Sequence, residues 1–264
     1  MRNLFLTLIG CLISFKSMAQ VLDADRADGS DTLKKKVNCI IGISGSADKQ
    51  KKNLIDGSTV IDFTYLFPKE RILIFKGNSD FTTNGSEFLQ NSGYLHLRYR
   101  DNDTRSFSTE FFSQYQWNGL LGMKSRNLIG CNLRWMVLDK SYKNDLFLGL
   151  GLMYENENWN YKGVKSIPDY TLYSDTSVQK VRINQYVKCA FVFNDNIDFV
   201  LANFIQSDIK DLLSPRVSTN AAVNFKMLKH VGLSINFESM YDFKPVVPID
   251  KFIYSLKMQL NIKL

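Results

Sequence analysis

Apolar and polar residues alternate along the last thirteen positions of the chain. Phe252, Tyr254, Leu256, Met258, Leu260, Ile262 and Leu264 are separated by Ile253, Ser255, Lys257, Gln259, Asn261 and Lys263. Successive side chains of a strand point to opposite faces, so one face of this segment is wholly apolar and the other almost wholly polar. A globular strand usually runs about 5–6 residues. A strand that crosses a bilayer needs about 9–11.

The same pattern recurs upstream. Val231, Leu233, Ile235, Phe237, Tyr241 and Phe243 share one phase, against Gly232, Ser234, Asn236, Glu238 and Asp242. Val217 to Met227, Phe107 to Trp117, Leu95 to Tyr99, Ile61 to Phe67, Leu146 to Tyr154 and Val181 to Phe193 repeat it, and none of them has helical spacing. Weaker candidates lie near 37–44, 71–77, 127–138 and 197–206. Together they predict about twelve strands, the even count expected of single-chain bacterial outer-membrane barrels.

The predicted links alternate in length. Longer ones fall near 45–54, 77–88, 157–178, 207–215 and 243–250, and shorter ones near 67–70, 101–104, 139–144, 194–196 and 228–230. The link at 118–123 is short where the trend calls for a long one. Long external loops opposite short periplasmic turns are characteristic of outer-membrane barrels, and the parity places both chain ends in the periplasm. Aromatic residues gather near strand ends at Tyr65 and Phe67, Tyr99, Tyr115 and Trp117, Tyr154 and Trp159, Tyr241 and Phe243, and Phe252 and Tyr254, as interfacial girdles require. A soluble β-sandwich also has an alternating apolar face. Strand length, loop alternation and an export signal favour instead an all-β fold, a single antiparallel transmembrane β-barrel of about twelve strands. A closed barrel leaves no backbone edge unpaired in lipid.

The export signal is residues 1–19. Arg2 precedes a short apolar core, Leu4 to Ile13, and Ser17-Met18-Ala19 puts small residues at a cleavage site before Gln20. Leu8-Ile9-Gly10-Cys11 also resembles a lipobox, but cleavage there would leave apolar Leu12 to Phe15 on the mature end. The expected organisation is a signal peptide at 1–19, a polar periplasmic lead-in at 20–36 and the barrel at 37–264. Removing 1–19 lowers Lys+Arg from 33 to 31 against 26 acids, a net charge near +5. No basic run is interleaved with aromatics, so nucleic acid is not an expected partner. The expected partners are outer-membrane lipid, the barrel-assembly machinery, and small ions or solutes. Cys39, Cys131 and Cys189 lack the spacing of a disulfide framework or zinc site, and no cofactor is expected.

The segment Ser92-Gly93-Tyr94-Leu95-His96-Leu97-Arg98-Tyr99-Arg100, followed by Phe107 to Trp117, resembles the salt-induced outer-membrane protein family, known as domain of unknown function 481. Tyr241-Asp242-Phe243-Lys244-Pro245-Val246-Val247-Pro248 carries the same resemblance, which spans residues 37–264. Family members often end in an aromatic residue, where this chain has Leu264. The resemblance implies an outer-membrane location and a link to salt or osmotic conditions. It implies neither a substrate nor catalytic residues.

Catalytic groups are sparse. A lipase working from the lipid face would need histidine there, whereas His96 falls on the inward phase and His230 in a short turn. Neither histidine has a second one nearby for a metal. No enzymatic activity is expected. The acidic and aromatic run Tyr154 to Tyr161 reads as a strand end entering a surface loop. Chemistry concentrates on the inward phase, where Arg98, Arg100, Arg182, Lys188, Lys226, Lys257 and Lys263 face Asp62, Glu110 and Glu238. Two readings remain open. A packed polar interior with cross-barrel ion pairs is the first. A narrow, weakly anion-selective channel is the second, because lumen charge tunes selectivity.

Overall fold

The computed structural model describes residues 36–49, 53–101, 106–138, 144–161 and 175–263. The expected signal peptide and nearly all of the lead-in lie outside them. Twelve strands run in chain order: β1 Val37–Lys49, β2 Asn53–Phe67, β3 Arg71–Asn84, β4 Glu87–Asp101, β5 Phe107–Asn118, β6 Met123–Leu138, β7 Asn144–Trp159, β8 Thr176–Asn194, β9 Ile197–Asp208, β10 Asp211–Lys226, β11 Val231–Asp242 and β12 Phe252–Lys263. Each pairs antiparallel with its sequence neighbours, and β1 meets β12 to close a barrel. That last seam is short among the described residues. Ile40 lies opposite Lys263 and Ile41 opposite Ile262, whereas β1 pairs with β2 along its whole length.

The alternation sets which way the side chains face. On β5, Ser108, Glu110, Phe112, Gln114, Gln116 and Asn118 are all buried, while Phe107, Phe111 and Tyr115 are exposed. The exposed phase is mostly apolar around the wall, with Ile129 and Leu133 on β6, Leu150 and Leu152 on β7 and Met258 and Leu260 on β12. In a soluble protein such a surface would be an aggregation hazard. In a membrane it faces the solvent it matches. Ring pairs mark both ends of the apolar band: Phe107 stacks on Trp135 at 5.9 Å, and Tyr115 lies 5.8 Å from Trp117.

Three of the expected long loops are mostly strand. β1 and β2 are separated only by 50–52, β3 and β4 by 85–86, and β9 and β10 by 209–210. Beyond the hydrocarbon layer nothing requires an apolar outer face, so Asn, Ser, Thr and Asp occupy both phases and resemble a loop. Backbone pairing continues there regardless of side chain, as between Asp56 and Thr82 or Leu54 and Asn84. The links after β7 and β11, 160–175 and 243–251, are the long ones. The link after β5 is a tight turn. The Asn118 side chain accepts a hydrogen bond from the Leu121 N–H at 3.2 Å, and Gly122 follows at φ 78°, where a side chain would be strained. Links after odd-numbered strands define the loop end of the barrel. The opposite end holds the start of β1 and the end of β12.

Candidate functional site

The interior is built in layers. At the loop end the 243–251 segment folds inward and buries Val247 against Leu121, Met123, Trp159, Met240 and Ile253. These residues come from opposite parts of the wall, so the segment reaches across part of the mouth, and beside it a cavity lined by Lys180, Arg182, Asp208, Asp242 and Lys244 opens toward the interior. Trp159 was expected in the outer girdle. Instead it is 2% exposed, and its indole N–H donates to Glu157 at 3.1 Å.

Beneath the cap lies an ionic layer of three arginines and three carboxylates. Arg216 on β10 reaches Glu155 at 3.0 Å and Glu157 at 2.6 Å on β7, and Asp242 on β11 at 2.7 Å. Arg126 on β6 contacts Glu155 at 2.6 Å and Glu157 at 3.1 Å, and Arg182 on β8 also pairs with Glu155. All six side chains are almost fully buried. Glu155 and Glu157 belong to the run expected to enter a surface loop. That expectation fails because β7 continues to Trp159 and turns both glutamates inward. Asn156 and Asn158 on the outward phase hid the alternation, and the arginines that hold the glutamates are distant in sequence.

An apolar layer follows, formed by Phe112, Leu128, Met153, Tyr186, Ala202 and Phe204. Its rings lie against wall glycines, Phe112 over Gly130 and Tyr186 over Gly149, where any β-carbon would collide. The lower cluster comes next. Glu110 accepts from Arg100 Nε at 2.8 Å and from the Tyr186 hydroxyl at 2.7 Å, with Arg98 and Arg134 each 3.9 Å away. The Arg134 guanidinium also stacks 3.6 Å above the Phe147 ring.

Of the residues expected in the lumen, Arg98, Arg100, Arg182, Lys188 and Glu110 are buried. Lys257 on β12 reaches Asp80 on β3 at 3.1 Å, and Asp62 pairs with Lys76 at 3.0 Å. Glu238 is half-buried on β11. Lys226 departs from expectation. It is the last residue of β10 and is exposed, because the strand ends where the lumen opens. The Lys263 side chain lies outside the described residues. His96 is buried with Nδ1 3.0 Å from Gln114 Oε1, and His230 is exposed in the turn after β10. The sequence reading missed Lys76, Asp80, Arg126, Arg134, Glu155, Glu157 and Arg216, and it placed Asp242 on the polar phase without counting it among the lumen charges. Continuing each strand's phase past its apolar stretch would have found most of them. With Asp242 these groups are four basic and four acidic, so they pair with one another and leave the surplus of four positive charges in the expected set unchanged.

The wall is unevenly lined. From β4 to β9 the inward residues are closely packed, with rings seated over small residues such as Gly130 and Gly149. Along β10, β11, β12, β1 and β2 they include Asn224, Ser234, Asn236, Ser255, Gly42 and Ser58, and several are only half-buried. Asn224 donates to Asp198 at 2.6 Å and accepts from Ser234 at 2.6 Å.

Residues 56–261 match the family described as "Protein of unknown function, DUF481", and the chain belongs to that family. Several solved barrels are similar in fold. The NanC porin is 10% identical with a TM-score of 0.45, covering 85% of this chain and 98% of its own. The translocator domain of the autotransporter NalP from Neisseria meningitidis is 8% identical with a TM-score of 0.44, covering 86% of each chain. The β-domain of the Bordetella autotransporter BrkA is 9% identical with a TM-score of 0.38, covering 87% of this chain and 99% of its own. No curated protein matches. The protein is an outer-membrane-type β-barrel.

Proposed function

We propose that this protein is a non-enzymatic component of the outer membrane whose barrel is closed to through-flow by its own interior. The observation that carries this reading is the stack of Val247 cap, six-membered ionic layer and Phe112–Phe204 apolar layer. An open conduit keeps its lumen charges hydrated, whereas here arginines and glutamates are buried against one another. Such a network braces strands that are not neighbours in the wall. β10 is tied to β7, and β8 to β5. A barrel braced in this way serves as a rigid envelope element rather than a passage. The test is planar-bilayer recording of the refolded protein. No steady conductance is expected, and a persistent chloride-selective current would overturn the reading.

A second reading, a gated narrow passage, draws on the half-buried polar lining near β10–β2. On that reading, deleting residues 244–250 uncaps the mouth and yields a current absent from the intact protein.

A further inference from the structure

The outward face of a membrane barrel should be apolar across the hydrocarbon layer, and most of this wall is. Four adjacent strands break the rule at neighbouring positions. Asn203 on β9 lies opposite Thr219 on β10, which lies opposite Ser239 on β11. Gln185 on β8 sits diagonally beside Asn203, because Val187 is the residue paired with Asn203 and Gln185 is paired with Ile205. All four fall on the outward phase by alternation with Tyr186, Ala202, Phe204, Ser218, Asn220 and Met240: Gln185 is exposed, Asn203 and Thr219 are half-buried, and Ser239 is covered by its neighbours.

The row is embedded in the apolar band. Each member has an outward apolar residue on either side along its own strand: Ile183 and Val187 around Gln185, Leu201 and Ile205 around Asn203, Val217 and Ala221 around Thr219, and Phe237 and Tyr241 around Ser239. Asn203 spends one amide hydrogen on the Thr219 hydroxyl at 2.7 Å. Asn203 stays half-buried on the outward phase, and that bond leaves its carbonyl oxygen and second amide hydrogen unspent among the described residues. The Gln185 amide is exposed and has no hydrogen-bond partner among the described residues. Acyl chains offer neither donors nor acceptors, so these groups carry a desolvation cost wherever lipid alone covers them.

We infer that the outer face of β8–β11 around Asn203 is a membrane-embedded interface with a second copy of this chain. Two features choose that occupant. The row is uncharged, so it does not select a phosphate or ammonium headgroup. Each primary amide is both donor and acceptor, so across a two-fold axis Asn203 and Gln185 complement their own copies without any other chemistry. Thr219, Ala221 and Ser239 are small, which lets two walls approach closely, as at interfaces within membranes. The inference rests on the membrane-spanning reading, and the test separates the two.

The experiment is cysteine crosslinking in native membranes, in a full-length Cys39→Ser, Cys131→Ser, Cys189→Ser background. Asn203→Cys is compared with Leu133→Cys, a lipid-facing site on β6. Oxidation is expected to give a disulfide-linked homodimer at position 203 and little at 133. In the same background, Gln185→Leu with Asn203→Leu is expected to weaken dimers about tenfold in native mass spectrometry, without loss of the folded, heat-modifiable band. A folded, membrane-inserted Asn203→Cys protein that stays monomeric overturns the inference and leaves the membrane reading intact. Crosslinking to a different protein, or dimers unaffected by the double leucine variant, also overturns it. Labelling at position 203 by a membrane-impermeant maleimide places the row in water and overturns the membrane reading of this face.

Discussion

Two arginine clusters inside the barrel use the same residue types in different proportions. In the ionic layer near the loop end, Arg126, Arg182 and Arg216 face Glu155, Glu157 and Asp242, one carboxylate for each guanidinium. In the lower cluster, Arg98, Arg100 and Arg134 converge on Glu110. Buried charge is tolerated only when paired and hydrogen-bonded. The balanced layer meets that condition internally and can act as a cross-brace through β6, β7, β8, β10 and β11. The lower cluster borrows neutral support: Arg134 uses the Phe147 ring and the Ser108 hydroxyl, and Tyr186 donates to Glu110. Equal burial therefore does not mean equal tolerance of change. One cluster depends on every arginine, the other on its one shared carboxylate.

Four substitutions sharpen that contrast, each read as a shift in the urea unfolding free energy of protein folded into lipid vesicles. Glu110→Gln is expected to be the most damaging, at about 5 kcal/mol, because it leaves three buried guanidinium groups without their carboxylate. Arg216→Met should cost about 3–4 kcal/mol, since Glu157, Glu155 and Asp242 lose their shared partner but keep Arg126 and Arg182 nearby. Val247→Ala removes two methyl groups from the cap and should cost about 2 kcal/mol, with both charge clusters unaffected. Arg98→Gln is expected to fall within about 1 kcal/mol of the parent, because it relieves like-charge crowding while Arg100 keeps its short contact to Glu110. If Arg98→Gln proved as costly as Arg216→Met, the two clusters would be equivalent and the contrast would fail.

Much of the wall was legible and much of the interior was not. Ile235, Leu260 and Phe111 announce their outward phase through neighbours two residues away, and Glu110 and Arg98 follow by alternation. Glu155 and Glu157 were lost because their strand continues past the apolar stretch, where both phases are polar. Trp159 was misplaced for the same reason: an aromatic near a strand end suits a girdle unless the chain is still alternating there. Three of the expected long loops failed together, because paired strand outside the lipid carries no apolar signature, whereas the links after β7 and β11 are long as expected.

By itself the sequence determined the antiparallel all-β class, a count of about twelve strands and the outward phase of their apolar stretches. Those properties follow from a two-residue period that each segment expresses locally. Only the tertiary structure decided what fills the lumen. Arg216 meets Glu157 across 59 positions of chain, and Lys257 meets Asp80 across 177. Such partners are chosen by the register of every intervening strand pair and by closure of the ring. The cap depends on the same closure. Val247 has nothing to bury against until β6, β7, β11 and β12 bring Met123, Trp159, Met240 and Ile253 around one mouth. A local pattern can state which side a residue faces, but only the closed barrel determines what it meets there.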